Sequence, residues 1–105
     1  MDNMKNKKID ILKWSDDALD GEGGYEPYIK NIWAYYRHVS GREFYAAAAS
    51  NIEVEVIFQI NYRDDIDLGE GRYGVLYKGK EYDITQIDDF EGNKTDLKIY
   101  ATRVN

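Results

Sequence analysis

The sequence has no cysteine, one histidine and one proline among its 105 residues. Lack of cysteine excludes a disulfide framework. With His38 as the sole imidazole, a zinc constellation of Cys and His ligands is excluded too. No apolar run approaches the roughly 20 residues a membrane-spanning helix needs, so no membrane partner is expected. The opening Met1-Asp2-Asn3-Met4-Lys5-Asn6-Lys7-Lys8 is basic with no apolar stretch behind it. It reads as a polar leader over residues 1–7, not as a secretory signal. Basic charge is in short supply: 14 Lys and Arg against 20 Asp and Glu leave a net charge of −6. An acidic chain repels phosphate backbones, which disfavours nucleic-acid recognition through a basic patch. The simplest location is the cytoplasm of the cell that makes the protein.

What is present points to one globular domain. Hydrophobic residues make up 43% and charged residues 32% of the chain, outside the disordered range and too short for a second core. Ten of the fifteen aromatic residues are tyrosine. A tyrosine ring packs as an apolar body while its hydroxyl keeps a polar partner, so it suits strands serving both a core and an interface.

Strand patterns dominate. Lys8 to Leu12 alternates as a first short strand. Ser15 to Glu26 follows as an acidic loop, with five acids, three glycines and no base, and Pro27 closes it. Tyr28 to Val39, aromatic and branched, reads as a long strand, with a twelve-residue helix as the alternative. Ile32, Ala34 and Tyr36 then face opposite to Trp33, Tyr35 and Val39. Ser40 followed by Glu43 three residues later is a capping-box pattern, and Ala46 to Ala49 is the strongest helix-forming run. Ile52 to Arg63 has Ile52, Val54, Val56, Phe58, Ile60 and Tyr62 on one face, with Ile57 the exception on the other. Such a strand would reach roughly 40 Å. A second acidic loop, 64–71, leads to a hairpin over Tyr73–Tyr77 and Glu81–Ile87, turning at Lys78-Gly79. Thr95 to Arg103 closes the chain's alternating segments. The expected fold is all-β: a small antiparallel barrel or sandwich of about six strands, with one short helical insertion between the two long strands.

Catalytic chemistry finds little support. Asp16, Asp17, Asp20 and Glu22, or Asp64, Asp65 and Asp67, could hold calcium loosely, but neither set has the EF-hand spacing, and solvated loops are the simpler reading. Chance carboxylate pairs are unavoidable with 20 acids, and no glycosidase pair can be singled out. His38 beside Arg37 has no nucleophile to serve. Gly69-Glu70-Gly71-Arg72-Tyr73-Gly74 spells Gly-x-Gly-x-x-Gly, yet strands flank it and no helix follows, so a nucleotide loop is rejected. No catalytic residue, cofactor or metal is expected.

Several short motifs, in order, resemble the head-tail adaptor, or head-closure (stopper), family of long-tailed bacteriophages. They are Ile9-Asp10-Ile11, Trp33-Ala34, the Ser40-Gly41-Arg42-Glu43 corner and Ile60-Asn61-Tyr62-Arg63. To these add Leu76-Tyr77-Lys78-Gly79-Lys80-Glu81-Tyr82-Asp83-Ile84 and Leu97-Lys98-Ile99. His38 and Val39 stand where the family usually has proline and leucine. The resemblance implies a single head-tail connector domain over 1–105. It also implies a non-enzymatic virion protein of a phage or prophage, forming a homo-oligomeric ring below the portal and its adaptor. That ring would close the DNA-filled head and receive the tail-completion or tail-tube protein, touching passing DNA without sequence specificity. The protein would sit at the head-tail interface of the virion, and in host cytoplasm during assembly. Subunit contacts or a channel loop are expected at Ser40, Gly41, Arg42, Glu43, Phe44, Tyr45, Ala46, Ala47, Ala48, Ala49 and Ser50, with Arg42 and Glu43 pairing to neighbours. The rival expectation is a stand-alone barrel that binds a peptide or sugar through a tyrosine-rich face.

Overall fold

The structure, a computed structural model, describes residues 5–104. Residues 1–4 of the expected polar leader lie outside that range, and Lys7 already belongs to the first strand. Six strands form: β1 Lys7–Ser15, β2 Gly24–His38, β3 Val56–Asn61, β4 Tyr73–Tyr77, β5 Lys80–Asp88 and β6 Asp96–Arg103. Two helical segments join them, α1 Ala18–Gly21 and α2 Gly41–Ala49. Every pairing is antiparallel, and the order β1-β2-β3-β6-β5-β4 closes into a barrel. This is the expected barrel with its helical insertion. In α1, Leu19 and Asp20 take left-handed angles (φ 55° and 57°), which makes it a turn and leaves α2 as the one true helix among the described residues.

Alternation fills the interior. Val56, Phe58 and Ile60 of β3 meet Leu97, Ile99 and Ala101 of β6, with Ile9, Ile11, Ala34, Val75 and Ile84 from the other strands. Phe58 is fully buried among the rings of Tyr36, Tyr77 and Tyr82, at centroid separations of 5.3, 5.6 and 5.6 Å. Tilted and edge-to-face ring contacts of this kind add to plain area burial. The β4–β5 turn has positive φ at both Lys78 (52°) and Gly79 (76°), the combination that a two-residue hairpin requires.

Three expectations change. The strand expected from Ile52 begins only at Val56. Ile52 and Val54 leave the barrel and pack with Ala47 and Ile57 in a second, smaller core under α2. Ile57, the break in the alternation, is thus the outward position that the helix covers. The loop expected over 15–26 is shorter, because Trp14 pairs with Tyr25 and Ser15 with Gly24, and the Trp14 and Tyr25 rings meet edge-on at 5.2 Å. The second acidic loop contributes to the core: Ile66 is buried, Leu68 packs beside it, and the Tyr28 hydroxyl donates to the Asp65 carbonyl at 2.9 Å.

Strand β2 is longer than its neighbours can cover. It pairs with β1 over Gly24–Ala34 but with β3 only over Tyr35–His38. Pro27 lies on the stretch without a second neighbour. So does Asn31, at φ 61°, whose N–H donates to Asp10 Oδ1 at 3.0 Å.

Alternating strand direction sorts the connections to two ends. The β1–β2, β3–β4 and β5–β6 connections share one end; α2 and the β4–β5 turn share the other. Residues 16–23, 62–72 and 89–95, all at the first end, hold ten acids and three bases. The barrel is therefore electrically polar along its axis.

Candidate functional site

Helix α2 is built by its own end signals. Ser40 Oγ accepts from the Glu43 N–H at 3.2 Å, and Glu43 Oε1 accepts from the Ser40 N–H at 2.9 Å. The capping box thus satisfies two backbone donors that the first turn would otherwise leave open. At the other end Asn51 turns left-handed (φ 60°). Its N–H donates to Ala48 at 3.0 Å, and the Ile52 N–H donates to Ala47 at 2.9 Å. That is the Schellman pattern, with Ile52 folding back onto Ala47.

The same Glu43 is clasped from β2. Arg37 Nη1 and Nη2 donate to its two carboxylate oxygens, each at 2.6 Å, and Lys98 Nζ stands 3.7 Å away. Bonds from Arg37, then the Ser40 N–H, hold the carboxyl well below the usual range for glutamate. Within the chain the Glu43 carboxylate is thus already engaged by Arg37 and Lys98. A strand residue and a helix residue six positions apart meet only because the chain turns a corner at Ser40, and no periodicity encodes that. Arg42 remains exposed.

The helix is lightly seated. Ala47 is its one buried residue; Ala46, Ala48, Ala49 and Ser50 are exposed. Phe44 is 49% exposed and Tyr45 is 73% exposed, their rings 5.6 Å apart and edge-on. Beside them a groove of about 480 Å³ opens between α2 and the 52–55 segment, floored by Ala48, Ile52 and Val54 with Phe44 on one wall. The segment that forms its other wall is pinned. Glu55 N–H donates to the Ala101 carbonyl at 2.9 Å, and Thr85 Oγ1 donates to the Glu53 carbonyl at 2.7 Å. The Glu55 carboxylate accepts from Arg103 N–H at 2.5 Å and Thr102 Oγ1 at 2.8 Å, which lowers its pKa.

Other sequence features resolve into structure. Gly74, last of the Gly-x-Gly-x-x-Gly run, lies under Tyr25, where an added Cβ would sit 2.6 Å from the Tyr82 carbonyl and 2.9 Å from the Tyr25 ring. Arg72 of the same run stacks 4.0 Å from the Trp14 ring and donates to Asp83 at 3.0 Å. The motif is a packing device where β4 lies between β1 and β5. Of the two acidic sets, Asp65 is held by Arg63 at 2.9 Å and 3.0 Å, Asp67 accepts from Gly69 N–H, and Asp16 accepts from the Trp14 indole. No group of three metal-ligating side chains occurs among the described residues. Of the tyrosines, Tyr73, Tyr77 and Tyr82 are buried and Tyr36 packs on the interior, whereas Tyr28 and Tyr45 are exposed.

Comparison with curated proteins gave no match. The sequence profile of the phage head completion protein family matches residues 5–104. A match over nearly the whole barrel, including α2 and both of its flanking strands, places the protein among structural components of the virion head rather than in an enzyme class. The chain belongs to the phage head completion protein family.

Proposed function

We propose that the protein forms a homo-oligomeric ring at the head-tail interface, below the portal and its adaptor, where it closes the filled head and receives the tail-completion or tail-tube protein. The observation that carries this reading is α2. It offers Phe44 and Tyr45 to solvent, and one buried alanine and the ion pairs of Glu43 with Arg37 and Lys98 hold it down. Exposed aromatic rings in such a position supply interface area. An element with few buried contacts also changes position at low cost, which a channel closure needs.

Charge suits the same role. With a net charge of −6 per chain, a ring of subunits would repel duplex DNA from its walls and keep passage free of sticking. Contact with DNA would be without sequence preference. Assembly would take place in the host cytoplasm.

Deleting residues 44–50 would remove Ala47 and uncover Val54 and Ile57, so substitution is the cleaner test. Phe44→Ser with Tyr45→Ser leaves both cores intact. The double variant should melt like the parent yet yield heads that lose their DNA or fail to take tails. Normal titres of DNA-filled, tailed particles would overturn the role assigned to α2.

A further inference from the structure

Trp33 is the oddest side chain on the barrel: a large indole, 54% exposed on β2, with Lys8 Nζ 5.0 Å over its ring. Lys8 and Trp33 are direct cross-strand partners on β1 and β2, so ring and charge are held side by side on paired strands. Among the described residues Trp33 belongs to neither apolar core. Two strands further around the barrel lies the groove beside α2, with an apolar floor and Phe44 on its wall. Glu53 stands exposed at its edge on a backbone fixed by Thr85. Among the described residues neither Lys8 nor Glu53 makes an ion pair.

We propose that the Trp33 ring of one copy seats in the groove beside α2 of the next copy, with Lys8 meeting Glu53 across the contact. Size, polarity and charge each agree. A groove of about 480 Å³ has room for an indole. Its apolar floor and aromatic wall suit a ring edge or face. The cation that travels with Trp33 matches the anion at the groove's edge, which fixes register and orientation more than it adds affinity. Plug and socket are different surfaces of one chain, so the contact is head-to-tail. Such contacts propagate from copy to copy and close as a ring when the rotation allows. The inference deepens the ring reading above and rests on it, since it names the surfaces through which neighbours would meet.

The absence of cysteine makes the test direct. A chain carrying Lys8→Cys and Glu53→Cys keeps both the indole and the groove, and each single variant serves as its control. Particles carrying these variants are purified, treated with a short bismaleimide and resolved under denaturing conditions. Melting curves confirm that the variants fold. The expected result is a ladder of covalently joined copies from the double variant and none from either single variant. If the protein is present in particles but no ladder forms, the contact is wrong and the ring reading stands. A cross-link to a protein of another size would show that Trp33 docks on a different partner, which also overturns the proposal. If the wild-type protein is missing from purified particles, the proposed function itself fails and this contact falls with it. As a second arm, Lys8→Glu should reduce incorporation at least tenfold, and adding Glu53→Lys should restore it. Wild-type incorporation of Lys8→Glu alone would count against the charge pairing.

Discussion

Arg37 and Glu43 meet fork to fork, with both bonds at 2.6 Å, although one residue belongs to strand β2 and the other to the first turn of α2. The same carboxylate caps the helix, so one side chain couples helix formation to helix placement. Glu43→Gln keeps an acceptor for the Ser40 N–H but loses the charge that Arg37 and Lys98 surround. Half-exposed ion pairs and caps are each worth about 1 kcal/mol. The variant should therefore lower the melting temperature by several degrees, on the order of 4–8 °C per kcal/mol for a domain of this size. Faster amide exchange confined to 41–50 would show the helix loosening, and an unchanged melt with unchanged exchange would contradict the clasp.

Stability should fall at both pH extremes, for opposite reasons. Glu43 has a folded-state pKa below its unfolded one, first through its bonds from Arg37. Its contribution is complete above the unfolded value of about 4.3 and is lost as pH drops through the folded value. Tyr25 is shifted the other way, first by burial and then by its hydroxyl bond to Asp83. Its contribution is complete below the unfolded value of about 10 and is lost as pH climbs through the folded value. Urea midpoints followed across pH should fall in strong acid and in strong base, and Tyr25→Phe should flatten the alkaline limb. An alkaline limb unchanged by that substitution would mean the phenol is not the group responsible.

Phe58 and Ile57 are adjacent on β3 and serve different cores. Phe58→Ala empties the centre of the barrel and should cost ~3–5 kcal/mol. Ile57→Ala opens the outer core under α2, where it packs with Ala47 and Val54, and its chief effect should be on the helix. Amide exchange would separate the two, with general deprotection for the first and deprotection concentrated in 41–55 for the second. A melt indifferent to Phe58→Ala would refute the barrel interior as described.

The two acidic connections should differ in exchange rate. Residues 16–23 have four carboxylates and little apolar cover, so fast exchange is expected there. Around Ile66 the chain is fastened to the core and to Tyr28, so amides near it should be protected. Equal, fast exchange in both would show that the Ile66 anchor does not hold in solution.

Period-two alternation in β3 and β6 made the barrel legible, and Ser40-x-x-Glu43 before the alanines made α2 legible. Lys78-Gly79 likewise announced its hairpin. The exit of Ile52 and Val54 from the barrel was not readable, because alternation continues unbroken through a segment whose backbone has left the sheet. Ile57 was the one clue, since an outward apolar residue in a polar row implies a cover. Ile66 was hidden for the converse reason: a single apolar residue among carboxylates carries no period. The Arg37–Glu43 pair carries no sequence signal, because its two residues meet around a corner that only the folded chain turns. Local rules describe elements well, whereas contacts made across a change of direction belong to the tertiary structure.

The incomplete cover of β2 bears on how crowded copies of this protein avoid fibres. A bare strand edge invites a second chain to continue the sheet, and repetition of that step ends in aggregation. Here the exposed run carries Pro27, which has no N–H to offer, and a left-handed Asn31 whose N–H is already taken by Asp10. A newcomer strand would meet one missing donor and one diverted donor within five residues. Copies held at high concentration are thus kept from continuing one another's sheet.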